Sequence, residues 1–529
     1  MTFFNKTLTR IILITSLFAN ISCEEYLEDE LLSDTSVDFL YNTKEGLESA
    51  VVGLYSLNRN IYNESEWNNA SILIPIAKSD LVVPRTGEIA FYSRLGWGID
   101  LNNIGTKRYS KHWRHGYRII DRANAIIIST EKMTDIDEGF KNKIIAEAKA
   151  FRANAYFTLF RQFNNIFITT TPTSPENVFE RAENKSSEEE IFELINNDLE
   201  FAIQHLDWTT QEFGRWTQAS TRHLKAKVAA WQKDWKEAAY QTDAIINQGS
   251  YKLVNNTKDV FLGDMNHTET LFAIQMEDAI IGGGNRNNIH FNFIAQYNDI
   301  PGADFSTSNG ARGFGSLLMN DYLRNLLNED PNDDRNDGSY YITKYIYNDP
   351  ANLPEGKKIG DTIALYNQYS SDNNQVKNYY KTMNPGCLKY LQEDAVPNEV
   401  SQISNIMVYR LAETFLIGAE AHMMNGNTSK ALEYINTVRK RARAKSINSI
   451  NQKVILEERA RELAFEGQRF YTLKRMGLLV DYIRDHASNE GFFDQARTRM
   501  QPYMENWAIP TAELELLGPN YPQNEGYPN

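Results

Sequence analysis

The chain has 529 residues, of which 42% are hydrophobic, enough to bury a large globular core. Its formal net charge is −14, which argues against nucleic acid or an anionic membrane surface as its ligand. Only two cysteines are present, Cys23 and Cys387, so stability must come from packing and not from a disulfide framework.

The first segment carries Lys6 and Arg10, then an apolar run from Ile11 to Ala19, then Asn20-Ile21-Ser22-Cys23. This basic, apolar, small-residue order is that of a signal peptide, about half the length a membrane-spanning helix needs. Cleavage is expected before Cys23, leaving a mature chain two units more negative. The Cys at the cleavage point resembles the lipobox of bacterial lipoproteins, which implies acylation of Cys23 and a durable lipid anchor. The following Glu24-Glu25-Tyr26-Leu27-Glu28-Asp29-Glu30 looks like the acidic export signal of Bacteroidetes-type lipoproteins, which implies the outer face of the outer membrane. Residues 23–42 are thus read as an acylated tether and 43–529 as the body.

Helical spacing recurs along the body. Leu47, Val51, Leu54 and Leu57 predict a helix over 43–59, and Trp113, Tyr117, Ile120, Asn124 and Ile127 one over 112–129 with these residues in the core. Phe140, Ile144, Ala148, Phe151, Ala155 and Leu159 predict a long amphipathic helix over 139–163. Ser187 followed by Glu190 reads as a capping box opening a helix to 206. Two hairpins follow, 217–231 with 235–248 and 407–424 with 429–444, with alanines where the helices would cross closely. They look like degenerate tetratricopeptide-type pairs, without a strict period. Between 251 and 405 the helical period is lost among Asn, Asp, Gly282-Gly283-Gly284 and scattered aromatics, predicting an irregular lobe of loops, short helices and short strands. The expected architecture is predominantly α: a helical scaffold (43–250 and 406–480), a variable lobe (251–405) and a C-terminal segment (481–529).

The most specific segment runs from Ile455 to Gly477. Leu456, Ala460, Leu463, Gly467 and Phe470 predict an apolar helical stripe, with Arg459, Glu462, Glu466 and Arg469 beside it as a paired, solvated face. Glu462 and Glu466 lie among arginines, which favours two ionised carboxylates over an acid/base pair. This segment resembles the signature helix of the SusD/RagB family of outer-membrane nutrient-binding lipoproteins. Agreement continues in Arg118–Ile126, in Ala146–Ala153 with Tyr156-Phe157, in Tyr409–Glu413 leading to Ala419-Glu420-Ala421, and in the ending from Trp507 to Tyr527. The resemblance implies a scaffold with four tetratricopeptide-like pairs that caps a SusC-like, TonB-dependent transporter. The cargo it implies is an oligosaccharide, or a peptide in the RagB branch, with no cofactor and no metal.

Sugar recognition needs flat aromatic faces with Asp, Asn and Arg around them, in a concave site. Two regions qualify. One contains Asp80, Arg85, Tyr92, Trp97 and Asn102, with Trp97 between Gly96 and Gly98; the other contains Tyr297, Asp299, Phe305, Asn309 and Arg312. His112 and His115 lack an acidic third ligand in phase, the glycine run lacks a phosphate loop's Lys-Ser/Thr, and no Gly-x-Ser-x-Gly elbow occurs. The Asp330–Gly338 stretch is a poor calcium loop, with Arg335 at a ligand position. A helical glycoside hydrolase and a pure protein-binding scaffold are the rival readings of this sequence.

Overall fold

A computed structural model describes residues 37–62, 72–84, 107–277, 286–336, 338–364, 370–487 and 495–528. The fold is predominantly α, as the helical periods predict. Helices α1 (Lys44–Arg59), α2 (Lys107–Lys132), α3 (Glu138–Phe163), α4 (Glu188–His205), α5 (Gln218–Gln232) and α6 (Trp235–Gln248) follow in order. After the lobe come α7 (Leu411–Met424), α8 (Thr428–Arg441), α9 (Gln452–Leu463) and α10 (Arg469–Arg475). Sequential neighbours from α2 to α6 pack on one another, and α6 packs on α7, which packs on α8, so the lobe is spliced into a continuous helical stack. Residues 37–42, read from sequence as tether, form a short helix.

Local chemistry sets the helix starts. Thr43 accepts from the Gly46 amide, Asp137 from Phe140, and Ser187 and Glu190 complete the expected capping box. The α5–α6 turn needs only two residues because Lys233 takes a left-handed conformation (φ 62°) and Asp234 caps the next helix. Helix α3, expected to be one-sided, is buried on nearly every side from Ile144 onward because α2 and α4 flank it. Its Glu147, Arg152 and Arg161 are consequently buried too.

The alanines lie where the sequence placed them: Ala229, Ala230, Ala238, Ala239 and Ala421 form one cluster across α5, α6 and α7. Gly418 extends the same logic. A Cβ there would lie 2.8 Å from the Tyr434 ring of α8 and 3.0 Å from Thr242 Oγ1 of α6, so the absence of a side chain lets three helices meet.

Residues 407–410 depart from the predicted helix. Ile-Met-Val-Tyr-Arg is rich in β-formers, and strand β6 (Ile406–Arg410) pairs antiparallel with β2 (Thr270–Ile274), aligning Arg410 with Thr270 and Ile406 with Ile274. Strands β1 (Val82–Pro84) and β3 (Leu317–Met319) pair antiparallel, as do β4 (Tyr341–Ile342) and β5 (Gly386–Cys387). Much of the lobe, including Phe272, Phe293, Tyr340 and Cys387, belongs to the same core as the scaffold helices. A second cluster joins Val83 to Ile294, Ala295, Tyr297, Leu318 and Tyr345. The C-terminal segment straps back over α2 and α3: Trp507 is fully buried, stacks on Tyr109 at 4.9 Å and donates its backbone N–H to the Gln162 carbonyl at 2.7 Å.

Gly418→Ala should destabilise the fold by about 1–3 kcal/mol through overpacking. Gly53→Ala, on an exposed face with open space around it, should instead stabilise by about 0.5–1 kcal/mol. Urea denaturation followed by circular dichroism distinguishes the two; equal effects would refute the close-approach role of Gly418.

Candidate functional site

The family-like segment is not a solvated helix face. Glu458 and Glu462 are fully buried, with Arg459 and Arg461 nearly so, while partly exposed Glu457 pairs with exposed Lys453. Nor is it one helix: α9 stops at Leu463, Phe465 and Gly467 take φ of 68° and 76°, and α10 restarts at Arg469. The two left-handed residues turn the chain, so the charged row predicted for one face splits among several partners.

Glu462 is the centre of the largest cluster. Its Oε1 accepts from Arg410 Nη1 at 2.7 Å, from the Tyr340 hydroxyl at 3.0 Å and from Arg441 Nη2, while its Oε2 accepts from Arg335 Nη1 at 3.0 Å. Arg335 also grips Asp333 with two bonds and Glu458 at 2.7 Å, so within the Asp-rich 330–338 stretch Asp333 is committed to an arginine. Arg410 further bonds Glu466 and Glu269, and Lys389 Nζ donates to the Glu462 and Ala464 carbonyls and to Glu466 Oε1 at 2.6 Å. Burial would raise the Glu462 pKa, but Arg441, Arg410 and Arg335 outweigh it and hold the carboxyl far below its usual range. It is a structural anion and a poor acid catalyst.

Arg469, the last of the four signature residues, forms a bidentate pair with Asp80, Nε to Oδ1 at 2.8 Å and Nη2 to Oδ2 at 2.7 Å. Asp80 is wholly buried, so the expectation that it meets a ligand is corrected: both its oxygens are used on Arg469. What the pair does is anchor the chain two residues before β1, helped by Asn320, whose side chain donates to the Asp80 carbonyl at 2.7 Å. Arg85, Tyr92, Trp97 and Asn102, along with Cys23, lie outside the described residues. The segment that holds Arg85 to Asn102 starts where β1 ends, and Pro84 is paired with Leu317 of the lobe. Val83, within β1, shares a core cluster with Tyr297 of the second region.

Tyr297 is also corrected from ligand contact to support. It is fully buried, stacks on Tyr345 at 5.2 Å, donates its hydroxyl to the Ala311 carbonyl at 2.8 Å and accepts from the Ser306 amide at 2.9 Å. Asn309 pairs with both backbone groups of Ile346, and Asp299 is held by Lys381. Above this base lie the half-exposed Phe305 and Arg312. The Arg312 guanidinium sits 5.4 Å from the Phe305 ring centre, and its Nη1 donates to the Asn398 side chain at 3.1 Å. An aromatic face beside a guanidinium and an amide is a chemistry suited to polyols. Asn398 escaped the sequence reading because it comes from 86 positions away.

A concave feature also missed is a cleft of about 710 Å³ lined by Tyr55, Arg59, Glu212, Arg215, Gln275 and Asn405, a size that small ligands use. Its rim is fixed by Arg215, whose Nη2 meets buried Glu147 at 2.8 Å. The lining residues come from five separate stretches, which leaves no local motif. Among the two histidines weighed as metal ligands, His112 faces the Gln162 amide at 3.1 Å and the edge of Trp507, while burial pushes His115 down to about 3.

A helical-repeat stack carrying an irregular lobe, locked by buried arginine–carboxylate clusters, defines the class of this molecule. Two family models match the chain, one described as "SusD family" over residues 268–527 and one as "Starch-binding associating with outer membrane" over 25–231. The chain belongs to the SusD/RagB family. It is 26% identical to SusD-like protein P25 of Formosa agariphila, with 96% of each chain covered. Among solved structures, a laminarin-binding SusD-like protein superposes with TM-score 0.69 at 22% identity, covering 91% of this chain and 99% of that one. Surface glycan-binding protein A from Bacteroides fluxus also gives 0.69, at 20% identity over 92% and 100%. At such identities these two likenesses speak to the fold.

Glu462→Gln should cost about 3–5 kcal/mol, because three buried guanidinium groups lose their shared anion. Because the folded-state pKa of Glu462 is depressed, its contribution is full above the unfolded value near 4.5 and is lost as pH falls below it. Wild-type stability in urea should therefore drop steeply from pH 5 to 3, and the variant should show a shallower slope; parallel slopes would contradict this role.

Proposed function

We propose that this protein is a cell-surface binding protein that captures an oligosaccharide and delivers it to a SusC-like, TonB-dependent transporter. The observation that carries the reading is the family membership of both halves of the chain, one half matching a model described as starch-binding and outer-membrane-associated. The laminarin-binding and glycan-binding names of two structural neighbours lend support to a glycan as cargo. Acylation of Cys23 would tether the body to the outer membrane, facing outward, with the tether residues spacing it from the lipid.

On this proposal the ligand lies on the lobe face at Phe305, Arg312 and Asn398, with Arg85, Trp97 and Asn102 as the further contacts expected from the sequence. Asp80 and Tyr297 hold that face in place from beneath. Capture requires no acid/base pair: the arginine-bound Glu462 and Glu466 are committed to structure, and binding energy comes from stacking and hydrogen bonds. Delivery would follow from modest affinity, which leaves release to the transporter.

Calorimetry against a panel of starch, laminarin and other soluble glycans, with peptides in parallel, tests the cargo. A glycan should bind, and Trp97→Ala should weaken it at least tenfold, the loss of about 1.4 kcal/mol typical of an aromatic anchor, with an unchanged melting temperature. Binding of peptides alone would favour the RagB-like alternative. New reducing ends after incubation with glycan would overturn the non-catalytic reading, and co-purification with a barrel without any ligand response would favour a pure scaffold.

A further inference from the structure

Where α3, α5, α7, α9 and α10 converge, the side chains do not close on one another. They leave a small space of about 20 Å³ whose walls include Arg161, Lys227, Glu413, Arg459, Gln468 and Arg475. That is room for one water-sized occupant.

The charges around this space do not balance. Lys227 Nζ bonds both Glu413 oxygens at 2.9 and 3.0 Å and Gln468 Oε1 at 2.7 Å; Arg459 Nη2 reaches Glu413 at 3.2 Å and Thr472 Oγ1 at 3.2 Å. Arg475 pairs with Glu420, its Nη1 to Oε1 at 2.6 Å. Arg161 forms no ion pair among the described residues; its guanidinium is sandwiched between the Phe157 and Tyr471 rings, 4.2 Å from each centre. Among the described residues, four cations thus face two carboxylates. His223, on the other side of Glu413, adds no charge near neutral pH because burial pushes its pKa down. Arg459 is 5% exposed, and its Nη1 has no hydrogen-bond partner among the described residues. A buried guanidinium N–H left unmade is costly, and so is a buried excess of positive charge.

We propose that this space is a binding site for a small monovalent anion of the halide class, held by Arg459 Nη1 and the surrounding cations. The anion would complete the packing of α9 and α10 against α5 and α7. Crowding of like charges is consistent with this: burial first, then Arg161 and Arg459, bring Lys227 down to about 8 even with Glu413 beside it. The occupant is distinct from the glycan of the preceding section, and the site lies among scaffold helices and not on the lobe.

Crystals of the protein exchanged into sodium bromide should show an anomalous bromide peak beside Arg459 Nη1. Thermal unfolding at fixed ionic strength, with gluconate replaced stepwise by chloride, should show a saturable rise in Tm on the order of 2 °C. Gluconate is too large for the space. In Gln468→Glu the new carboxylate takes the anion's place, so the bromide peak and the chloride dependence should both vanish. A water in place of bromide, a Tm indifferent to chloride, or a chloride response that survives in Gln468→Glu would each overturn the proposal. The wild-type experiments stand even if that variant folds poorly, and none of them depends on glycan binding.

Discussion

The buried carboxylate of Glu462 is the constraint on which the rest of the structure depends. It gathers Arg335 and Tyr340 from the lobe, Arg410 from the strand that ends the lobe, and Arg441 from α8 around one atom pair on α9. Each of those guanidinium groups also holds another carboxylate, Arg335 with Asp333 and Glu458, Arg410 with Glu466 and Glu269, and Arg441 with Glu269, so Glu462 is the anion that joins them into one network. Hydrophobic contacts alone would tolerate sliding of an irregular lobe over a helical stack; fixed hydrogen-bond directions do not. We regard the cluster as a device for orientation, since replacing a buried ion network with apolar groups often leaves stability no worse.

The same segment transmits that orientation to strand β1. Immediately after the turn at Phe465 and Gly467, Arg469 clamps Asp80, which places β1 against β3 and so fixes where the chain leaves the scaffold beside the lobe. Tyr297 and Asn309 do the equivalent from the lobe side, using backbone groups as partners. Residue types that suit sugar recognition are here spent on supporting the surface. The side chains displayed above them, Phe305, Arg312 and Asn398, have fewer internal commitments.

The helical stack was legible in the sequence because its signals are local. The Ser187 capping box, apolar spacing, and alanines at crossings act within one or two turns, and all reappear in the fold. The stretch 407–410 was misread because its apolar content suits either period, and pairing with β2, more than 130 residues earlier, chose the strand. Asp80 and Tyr297 were misassigned for a related reason. A side chain's chemistry is visible in the sequence, but whether it points to solvent or to a buried arginine is not.

By itself, then, the sequence determined the predominantly helical class, the presence of the scaffold helices and the family resemblance, since propensity, capping and periodicity are properties of neighbouring residues. Tertiary structure alone decided that the charged row of Arg459, Glu462, Glu466 and Arg469 is a buried lock and not a wet surface. Its partners, Glu413, Arg335, Arg410, Arg441, Lys389 and Asp80, lie between 21 and 389 positions away in sequence, and only folding brings them within hydrogen-bond reach. Burial and charge pairing depend on what surrounds a residue in space, and a linear pattern carries no record of that.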